Sequence, residues 1–184
     1  MAKNLVLVGF MASGKSTVGR IVAAELNVEF IDLDEMVEGM TGKTIAELFD
    51  QQGEARFRRF ESAALAQALA GGGKVVAVGG GAVIDDRNWN LILKGGNIVV
   101  RLAAAGEEIL RRLEDGGGRP LAGGGRLRER PDVREDLLRL AEAREPRYQQ
   151  AAHHVDTTGR EVAEVAAEVA AIAREAGLGE VAGA

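Results

Sequence analysis

The chain has 184 residues, no cysteine and a formal net charge of −5, and 46% of its residues are hydrophobic and 28% charged. These values are typical of one soluble globular domain; they exclude disulfides and thiolate metal sites and argue against general electrostatic binding to nucleic acid or anionic membranes. No apolar run approaches the ~20 residues of a membrane span, and the N-terminus lacks a signal-peptide pattern, so we expect a cytoplasmic protein.

Short apolar runs alternate with amphipathic stretches along the chain, which predicts a parallel sheet covered by helices on both faces. The predicted strands are 4–8, 29–32, 74–78, 97–102 and 153–156. The predicted helices are 15–26, 35–39, 44–51, 54–70, 86–94, 106–114, 134–148 and 160–175. A loop with two glycine triplets at 115–126 and a tail at 177–184 fall outside this alternation, and we expect both to be flexible.

The first predicted strand leads into Gly9–Ser16, which fits the pattern G-x-x-x-x-G-K-[ST] at every fixed position. A strand, a glycine-rich turn and a helix direct several N–H groups and the positive end of the helix dipole at one point. In that geometry Lys15 reaches the β- and γ-phosphates of a nucleotide, and Ser16 can bind the accompanying magnesium. A chance glycine-rich turn is the alternative, but the flanking strand and helix favour a nucleoside triphosphate site.

Two aspartates, Asp32 and Asp34, follow the second predicted strand. Because extended backbone has a period of two, we expect both carboxylates to project on the same side of the strand end. If this strand neighbours the first, both carboxylates lie near the phosphate loop. One could then bind the magnesium shell, and the other could bind an acceptor hydroxyl. The alternative role for Asp34 is to cap the next helix.

The third predicted strand runs directly into three glycines, Gly79, Gly80 and Gly81. Glycines at this position let a ligand approach the bare backbone and its N–H groups. In an open parallel sheet, ligands bind beyond the carboxyl ends of the strands. The other glycine triplets of the chain indicate only flexibility, so it is the position of this triplet that indicates a binding role.

Two arginines outside the phosphate loop are candidates for binding an anionic substrate. Arg58 and Glu61 are i and i+3 neighbours on a predicted helix, where the glutamate can orient the guanidinium group. The alternative is a solvated surface pair. Arg144 falls at the end of a later helix, where its alternative role is that of a cation near a helix C-terminus.

Taken together, these segments resemble the shikimate kinases. The matching segments are Gly9–Ser16, Asp32–Asp34, Phe57–Glu61, Gly79–Val83, Arg119–Leu121 and Arg144–Tyr148. They follow the order and nearly the spacing of that family, from about residue 4 to about residue 172. The phosphate loop alone indicates only a large superfamily, whereas the aspartate pair, the glycine triplet and the two separated arginine motifs are jointly specific.

The resemblance implies a three-layer α/β P-loop kinase fold with a central parallel sheet of about five strands. It implies one domain over 1–176, with a helical substrate-binding segment at about 33–61, a mobile lid at about 113–126 and the flexible tail at 177–184. The implied reaction is ATP-dependent phosphorylation of the 3-hydroxyl of shikimate, a step toward chorismate and the aromatic amino acids. The implied cofactor is Mg²⁺, and we expect a monomer without nucleic-acid or membrane partners.

The resemblance also implies roles for individual residues. Those expected at ATP are Ala12, Ser13, Gly14, Lys15, Ser16, Thr17, Arg112, Arg119 and Arg160. Those expected at shikimate are Asp34, Phe49, Phe57, Arg58, Gly79, Gly80, Gly81 and Arg144, with Glu61 behind them. The catalytic residues would be Lys15, Asp34 and Arg119, the last closing over the phosphates from the lid. Ser16 and Asp32 would serve the metal.

Two other functions remain open from the residues. Another small-molecule P-loop kinase, acting on gluconate, a nucleoside or a nucleotide, need not combine Arg58, Arg144 and the glycine triplet. A regulatory module that binds nucleotide without catalysis should have lost a catalytic residue, yet Lys15 and Asp34 are both present.

Overall fold

The computed structural model describes residues 3–115 and 131–179. Its strands are β1 (Leu5–Val8), β2 (Glu29–Asp32), β3 (Lys74–Ala77), β4 (Ile98–Ala103) and β5 (His153–Asp156). Its helices are α1 (Lys15–Leu26), α2 (Leu33–Thr41), α3 (Ile45–Ala68), α4 (Asp86–Lys94), α5 (Gly106–Glu114), α6 (Pro131–Tyr148) and α7 (Val162–Glu175). A short 3₁₀ helix, Ala82–Ile84, precedes α4.

The five strands form one sheet in the order β2-β3-β1-β4-β5, and every pairing is parallel. The central strand β1 is fully buried, with Leu7 opposite both Ala77 of β3 and Val100 of β4. Because the inner strands β1, β3 and β4 are covered on both faces, they are largely apolar, whereas the edge strands β2 and β5 carry polar, partly exposed residues. All carboxyl ends therefore meet at one edge of the sheet.

Two apolar cores, one on each face of the sheet, make the fold three-layered. Side chains alternate along β1, so that Val6 belongs to one core and Leu7 to the other. The first core contains buried residues of α2–α6, among them Trp89. The second is formed with α1 and α7, among whose buried residues is Val169. The predicted three-layer fold with a five-stranded parallel sheet is confirmed.

The helix boundaries differ from the predictions where capping determines them. Helix α2 begins at Leu33 rather than 35, because the side chain of Asp32 accepts a hydrogen bond from the Asp34 N–H. The break predicted between helices 44–51 and 54–70 is present within α3, because the backbone at Gly53 has a φ of 75° and is not helical. The 3₁₀ helix after the glycine triplet was not predicted.

The C-terminal end of the packed domain also lies further along the chain than predicted. Leu178, inside the predicted flexible tail 177–184, is only 3% exposed and packs in the second core. Its N–H donates to the carbonyl of Ala173 at the end of α7. Residues 180–184 lie outside the described residues. Among residues 3–115 and 131–179, no helix combines the length and apolar character that crossing a bilayer requires.

Two glycines inside helices give a matched test of this packing. A Cβ on Gly19 of α1 would lie 2.5 Å from Cε2 of Phe30, whereas a Cβ on Gly39 of α2 would meet nothing within 4 Å. We expect Gly39→Ala to raise the free energy of unfolding by about 0.5–1 kcal/mol through helix propensity. Gly19→Ala should lower it by about 1 kcal/mol, because overpacking costs about 1–3 kcal/mol and outweighs that gain.

Urea denaturation of both variants measures these effects. Equal unfolding free energies for the two variants would contradict the close packing of Gly19 against β2.

Candidate active site

The phosphate loop connects β1 to α1 at the carboxyl edge of the sheet. Its shape requires left-handed backbone at three positions, Gly9 (φ 144°), Ala12 (φ 58°) and Gly14 (φ 95°). A Cβ on Gly9 would lie 2.3 Å from the carbonyl oxygen of Leu102, so only glycine fits between the loop and β4. Gly14 caps α1 without a side chain, which leaves the first N–H groups of the helix available to a ligand.

The two polar residues that follow Gly14 have different environments. The ammonium group of Lys15 donates to the carbonyls of Gly9 (2.9 Å) and Phe10 (2.8 Å), so its charge lies over the loop. Ser16 is exposed, and its hydroxyl donates to Oδ2 of Asp32 at 2.5 Å. The loop thus brings a cation and a hydroxyl–carboxylate pair to the helix N-terminus.

The two aspartates do not share a strand face as predicted. Asp32 ends β2 and caps α2, whereas Asp34 lies in the first helical turn of α2. The alternative role of Asp34 as the cap is therefore wrong, because Asp32 has that role. The condition that β2 neighbours β1 is not met either, since β3 lies between them. The carboxylate of Asp32 nevertheless accepts a hydrogen bond from Ser16, because α1 packs against β2, with Gly19 next to Phe30.

The glycine triplet lies where several polar groups meet. A Cβ on Gly79 would be 3.1 Å from a carboxylate oxygen of Asp34 and 3.1 Å from one of Glu61. A Cβ on Gly81 would be 2.7 Å from both terminal nitrogens of Arg58. The bare backbone therefore allows two carboxylates and a guanidinium group to approach the end of β3.

Arg58 is oriented by two glutamates of its own helix. It donates to Glu61 at 2.7 Å and to Glu54 at 3.0 Å. Glu61 is only 1% exposed, so the solvated surface pair considered above is not what the fold forms. Burial raises the pKa of Glu61 above its ordinary value, while the charge of Arg58 acts in the opposite direction. Glu54 was not singled out by the sequence, although its i, i+4 spacing to Arg58 is a usable signal.

Arg144 approaches the same site from α6. Its guanidinium carbon lies 5.9 Å from the ring centroid of Phe10 in the phosphate loop. The positive charge of Arg144 also lowers the pKa of Glu61, which places the group within electrostatic reach of the buried glutamate. The hydroxyl of Tyr148, one helical turn further on, donates to the carbonyl of Gly80 at 2.7 Å. The sequence motif contains Tyr148, but its spacing alone did not indicate this contact.

Two phenylalanines of α3 lie near Arg58. The ring centroids of Phe49 and Phe57 are 4.7 Å apart, with the planes tilted by 37°. Phe57 is buried, whereas Phe49 is 38% exposed, and Arg58 lies over the Phe57 ring at 5.1 Å. The pair can supply the apolar wall expected beside Arg58.

A cavity of about 540 Å³ adjoins the other side of the phosphate loop. Its lining includes Ala12, Ser13, Gly14 and Thr17 of the loop and α1, together with Arg112 and Arg160. Arg112 joins the walls of this cavity, since it donates to the carbonyls of Ala12 (3.2 Å) and Thr157 (2.6 Å). Arg160 pairs with Glu168 at 2.7 Å. Thr157 is buried and also lines the cavity, which was not predicted from the sequence. The only sequence feature that could have indicated this role is its position shortly before Arg160.

Arg119 and most of the predicted lid, 113–126, lie outside the described residues. The remaining predicted site residues form two neighbouring groups on the carboxyl edge of the sheet. One group surrounds the phosphate loop and the cavity; the other surrounds the glycine triplet.

Comparison with known proteins identifies the family to which this arrangement belongs. The family model described as shikimate kinase matches residues 11–174. A relative named shikimate kinase from Symbiobacterium thermophilum is 41% identical over 168 residues, which cover 90% of this chain and 93% of the relative. The chain belongs to the shikimate kinase family. The predicted family is confirmed, and with it the predicted function, shikimate kinase, an ATP-dependent phosphotransferase.

Solved structures agree with this assignment. A shikimate kinase from Acinetobacter baumannii in complex with shikimate has a TM-score of 0.81 at 33% identity, covering 97% of this chain and 96% of that one. A gluconokinase from Sinorhizobium meliloti has a TM-score of 0.63 at 20% identity, covering 95% and 93% of the two chains. The second likeness concerns the fold alone.

The raised pKa of Glu61 predicts a specific pH dependence of stability. The folded protein protonates this carboxyl more readily than the unfolded chain does, so its contribution to stability is greatest at acidic pH. That contribution declines as the pH rises through the folded pKa. Because Glu61→Gln cannot titrate, we expect the stability of the wild type relative to this variant to fall as the pH rises.

Urea unfolding of both proteins between about pH 4 and pH 7 measures this difference. A difference that is constant or that increases with pH would contradict the buried, desolvated state of Glu61.

Proposed function

We propose that the site transfers the γ-phosphoryl group of ATP to the 3-hydroxyl of shikimate, giving ADP and shikimate 3-phosphate for chorismate and aromatic amino-acid biosynthesis. The observation that supports this most is the position of two arginines, one at the glycine triplet and the other at the phosphate loop. Arg58 packs against Gly81, and Arg144 lies over Phe10. Two guanidinium groups that meet one carboxylate give directional recognition of an anionic acceptor.

On the nucleotide side, we propose that the loop N–H groups and Lys15 bind the β- and γ-phosphates of ATP. The adjoining cavity would take the adenosine, with Arg112 and Arg160 in its walls. Arg119, proposed from the sequence motif alone, would add a second cation at the transferred group. Phosphoryl transfer requires mainly positioning and charge neutralisation, which cations around the γ-phosphate supply.

The residues next to the loop fit a magnesium ion. Mg²⁺ prefers oxygen ligands and is usually held by one or two protein groups together with substrate phosphates. The Ser16 hydroxyl and the Asp32 carboxylate supply such oxygens at the helix N-terminus. We propose that these two residues hold the ion, which when bound neutralises charge on the phosphates.

On the acceptor side, we propose that Asp34 orients the 3-hydroxyl and accepts its proton. Asp34 and Glu61 are equally close to Gly79, but Glu61 is 1% exposed and hydrogen-bonded to Arg58, whereas Asp34 is partly exposed. The apolar rings of Phe49 and Phe57 would bound the ring of the substrate. Glu61 would act indirectly, by orienting Arg58.

The acceptor is tested with purified protein, ATP and Mg²⁺, by following ADP with shikimate, gluconate or a nucleoside. The proposal expects turnover with shikimate only. Turnover with gluconate or a nucleoside instead would assign a different small-molecule kinase, and nucleotide binding without turnover would indicate a regulatory module.

We also propose that the protein acts in the cytoplasm as a monomer without nucleic-acid or membrane partners. The net charge of −5 supports the last point, because it disfavours polyanionic surfaces. Sedimentation velocity with and without ligands tests the oligomeric state.

Replacing either substrate-binding arginine by lysine should weaken shikimate binding selectively. Lysine keeps the charge but cannot reproduce a planar two-pronged contact. We expect Arg58→Lys and Arg144→Lys each to reduce shikimate affinity about ten- to a hundredfold, with ATP affinity nearly unchanged. Titration of each ligand into each variant measures both affinities.

The same helices offer matched controls. Arg59→Lys on α3 and Arg139→Lys on α6 change exposed arginines and should leave both affinities unchanged. If both substrate-side variants bind shikimate like the wild type, the proposed carboxylate site is wrong.

The two aspartates should differ in their response to magnesium. Asp34→Asn removes the charge that orients the acceptor hydroxyl, so we expect the rate to fall by about 10²-fold or more at any Mg²⁺ concentration. Asp32→Asn weakens the metal site but keeps a side chain that caps α2, so its defect should ease at high Mg²⁺. Rates measured against Mg²⁺ concentration separate the two cases.

ATP binding should survive in Asp34→Asn, because the phosphate loop is unchanged. Near-normal turnover of Asp34→Asn, or its recovery with magnesium, would show that the two roles are assigned wrongly.

A further inference from the structure

Tyr148 connects α6 to the glycine triplet. Its side chain is 2% exposed, and its hydroxyl donates to the carbonyl of Gly80 at 2.7 Å. Gly80 in turn adjoins the phosphate loop, since a Cβ on it would lie 3.4 Å from the carbonyl oxygen of Gly9 and 3.6 Å from the N atom of Met11. The Gly80 peptide therefore lies between the nucleotide side and the acceptor side of the site.

The last turns of α6 are anchored on both sides of Arg144. Arg101 of β4 pairs with Glu145 at 2.6 Å, and Arg147 pairs with Asp86 of α4. These contacts fix the helix relative to the sheet and to α4. The remaining contact, from Tyr148 to Gly80, fixes the same turn relative to the triplet against which Arg58 packs.

From these contacts we infer that Tyr148 is a positioning residue for the acceptor. Its hydroxyl sets the distance between Arg144 and the triplet, and so the spacing of the two guanidinium groups that receive the substrate carboxylate. The inference rests on the proposed function for the identity of the acceptor. The geometric part, that Tyr148 restrains the Gly80 peptide, is independent of it.

The tyrosine is a donor throughout the ordinary working range of pH. Burial raises the pKa of Tyr148 to about 12, and the Glu145 charge raises it further. The charge of Arg144, its hydrogen bond to the tyrosine hydroxyl and the charge of Arg101 act in the opposite direction. The hydroxyl therefore keeps its proton at neutral pH. Loss of this bond should accordingly have the same effect at about pH 6 and about pH 9.

Tyr148→Phe tests the inference, because it keeps the ring in the core and removes only the hydroxyl. We expect the KM for shikimate to rise at least about three- to tenfold, because the hydroxyl loses both its bond to Gly80 and its hydrogen bond with Arg144. The KM for ATP should stay within about twofold, because Tyr148 is not among the described residues that line the cavity. Amide exchange over residues 79–82 should become faster in the variant, because the Gly80 carbonyl loses its partner.

Asn4→Ala serves as the control for a purely structural effect. Asn4 is buried at the opposite edge of the sheet, where its side chain donates to the Leu69 carbonyl at 3.1 Å. Its replacement should lower stability without changing the KM for shikimate or exchange over residues 79–82.

The outcomes distinguish the inference from the proposed function. An unchanged shikimate KM, an equal rise in both KM values, or unchanged exchange in Tyr148→Phe would each overturn the positioning role. A wild-type protein that does not phosphorylate shikimate would overturn the proposed function instead, and faster exchange in the variant would still support the restraint on Gly80.

Discussion

The arrangement depends on three residues without side chains at the carboxyl end of β3. The carboxylates of Asp34 and Glu61 lie close to Gly79, and the guanidinium group of Arg58 lies close to Gly81. A Cβ atom on either glycine would crowd these groups. Gly80 lies against the phosphate loop. Because the backbone of these glycines is bare, charged groups from α2 and α3 can approach it closely. Helix α6, which carries Arg144, approaches the same backbone. A methyl group on one of these glycines would displace the charged side chains.

The order of the strands explains how the nucleotide and acceptor groups come to be neighbours. β3 lies between β1, which leads into the phosphate loop, and β2, which leads into the aspartates. The glycine triplet thus ends the strand between the two. The Ser16 hydroxyl still reaches the Asp32 carboxylate at 2.5 Å, because α1 packs against β2, with Gly19 next to Phe30. The charges also pair locally. Buried Glu61 forms a salt bridge with Arg58 and thereby orients its guanidinium group.

Much of the fold could be predicted because apolar runs and amphipathic periods are local signals. The inner strands β1, β3 and β4 follow from such runs, and the phosphate loop follows from a motif with fixed spacing. The start of α2 at Leu33 was missed because Asp32 rather than Asp34 is its cap, and strand order is a long-range property that local patterns do not specify. Burial of Glu61 and the bond from Tyr148 to Gly80 depend on packing between distant segments. The resemblance to a family predicted which residues form the site. Their burial and contacts could be seen only in the folded structure.

The central claim is that two guanidinium groups, Arg58 at the glycine triplet and Arg144 at the phosphate loop, recognise the carboxylate of the acceptor. The most direct measurement compares kcat/KM for shikimate with that for its uncharged methyl ester, in the wild type and in Arg144→Lys. The account predicts that the wild type prefers shikimate by about ten- to a hundredfold and that the preference shrinks in the variant, because the lost contact is made only with the charged group. Equal use of the ester by the wild type, or the same preference in both proteins, would contradict it.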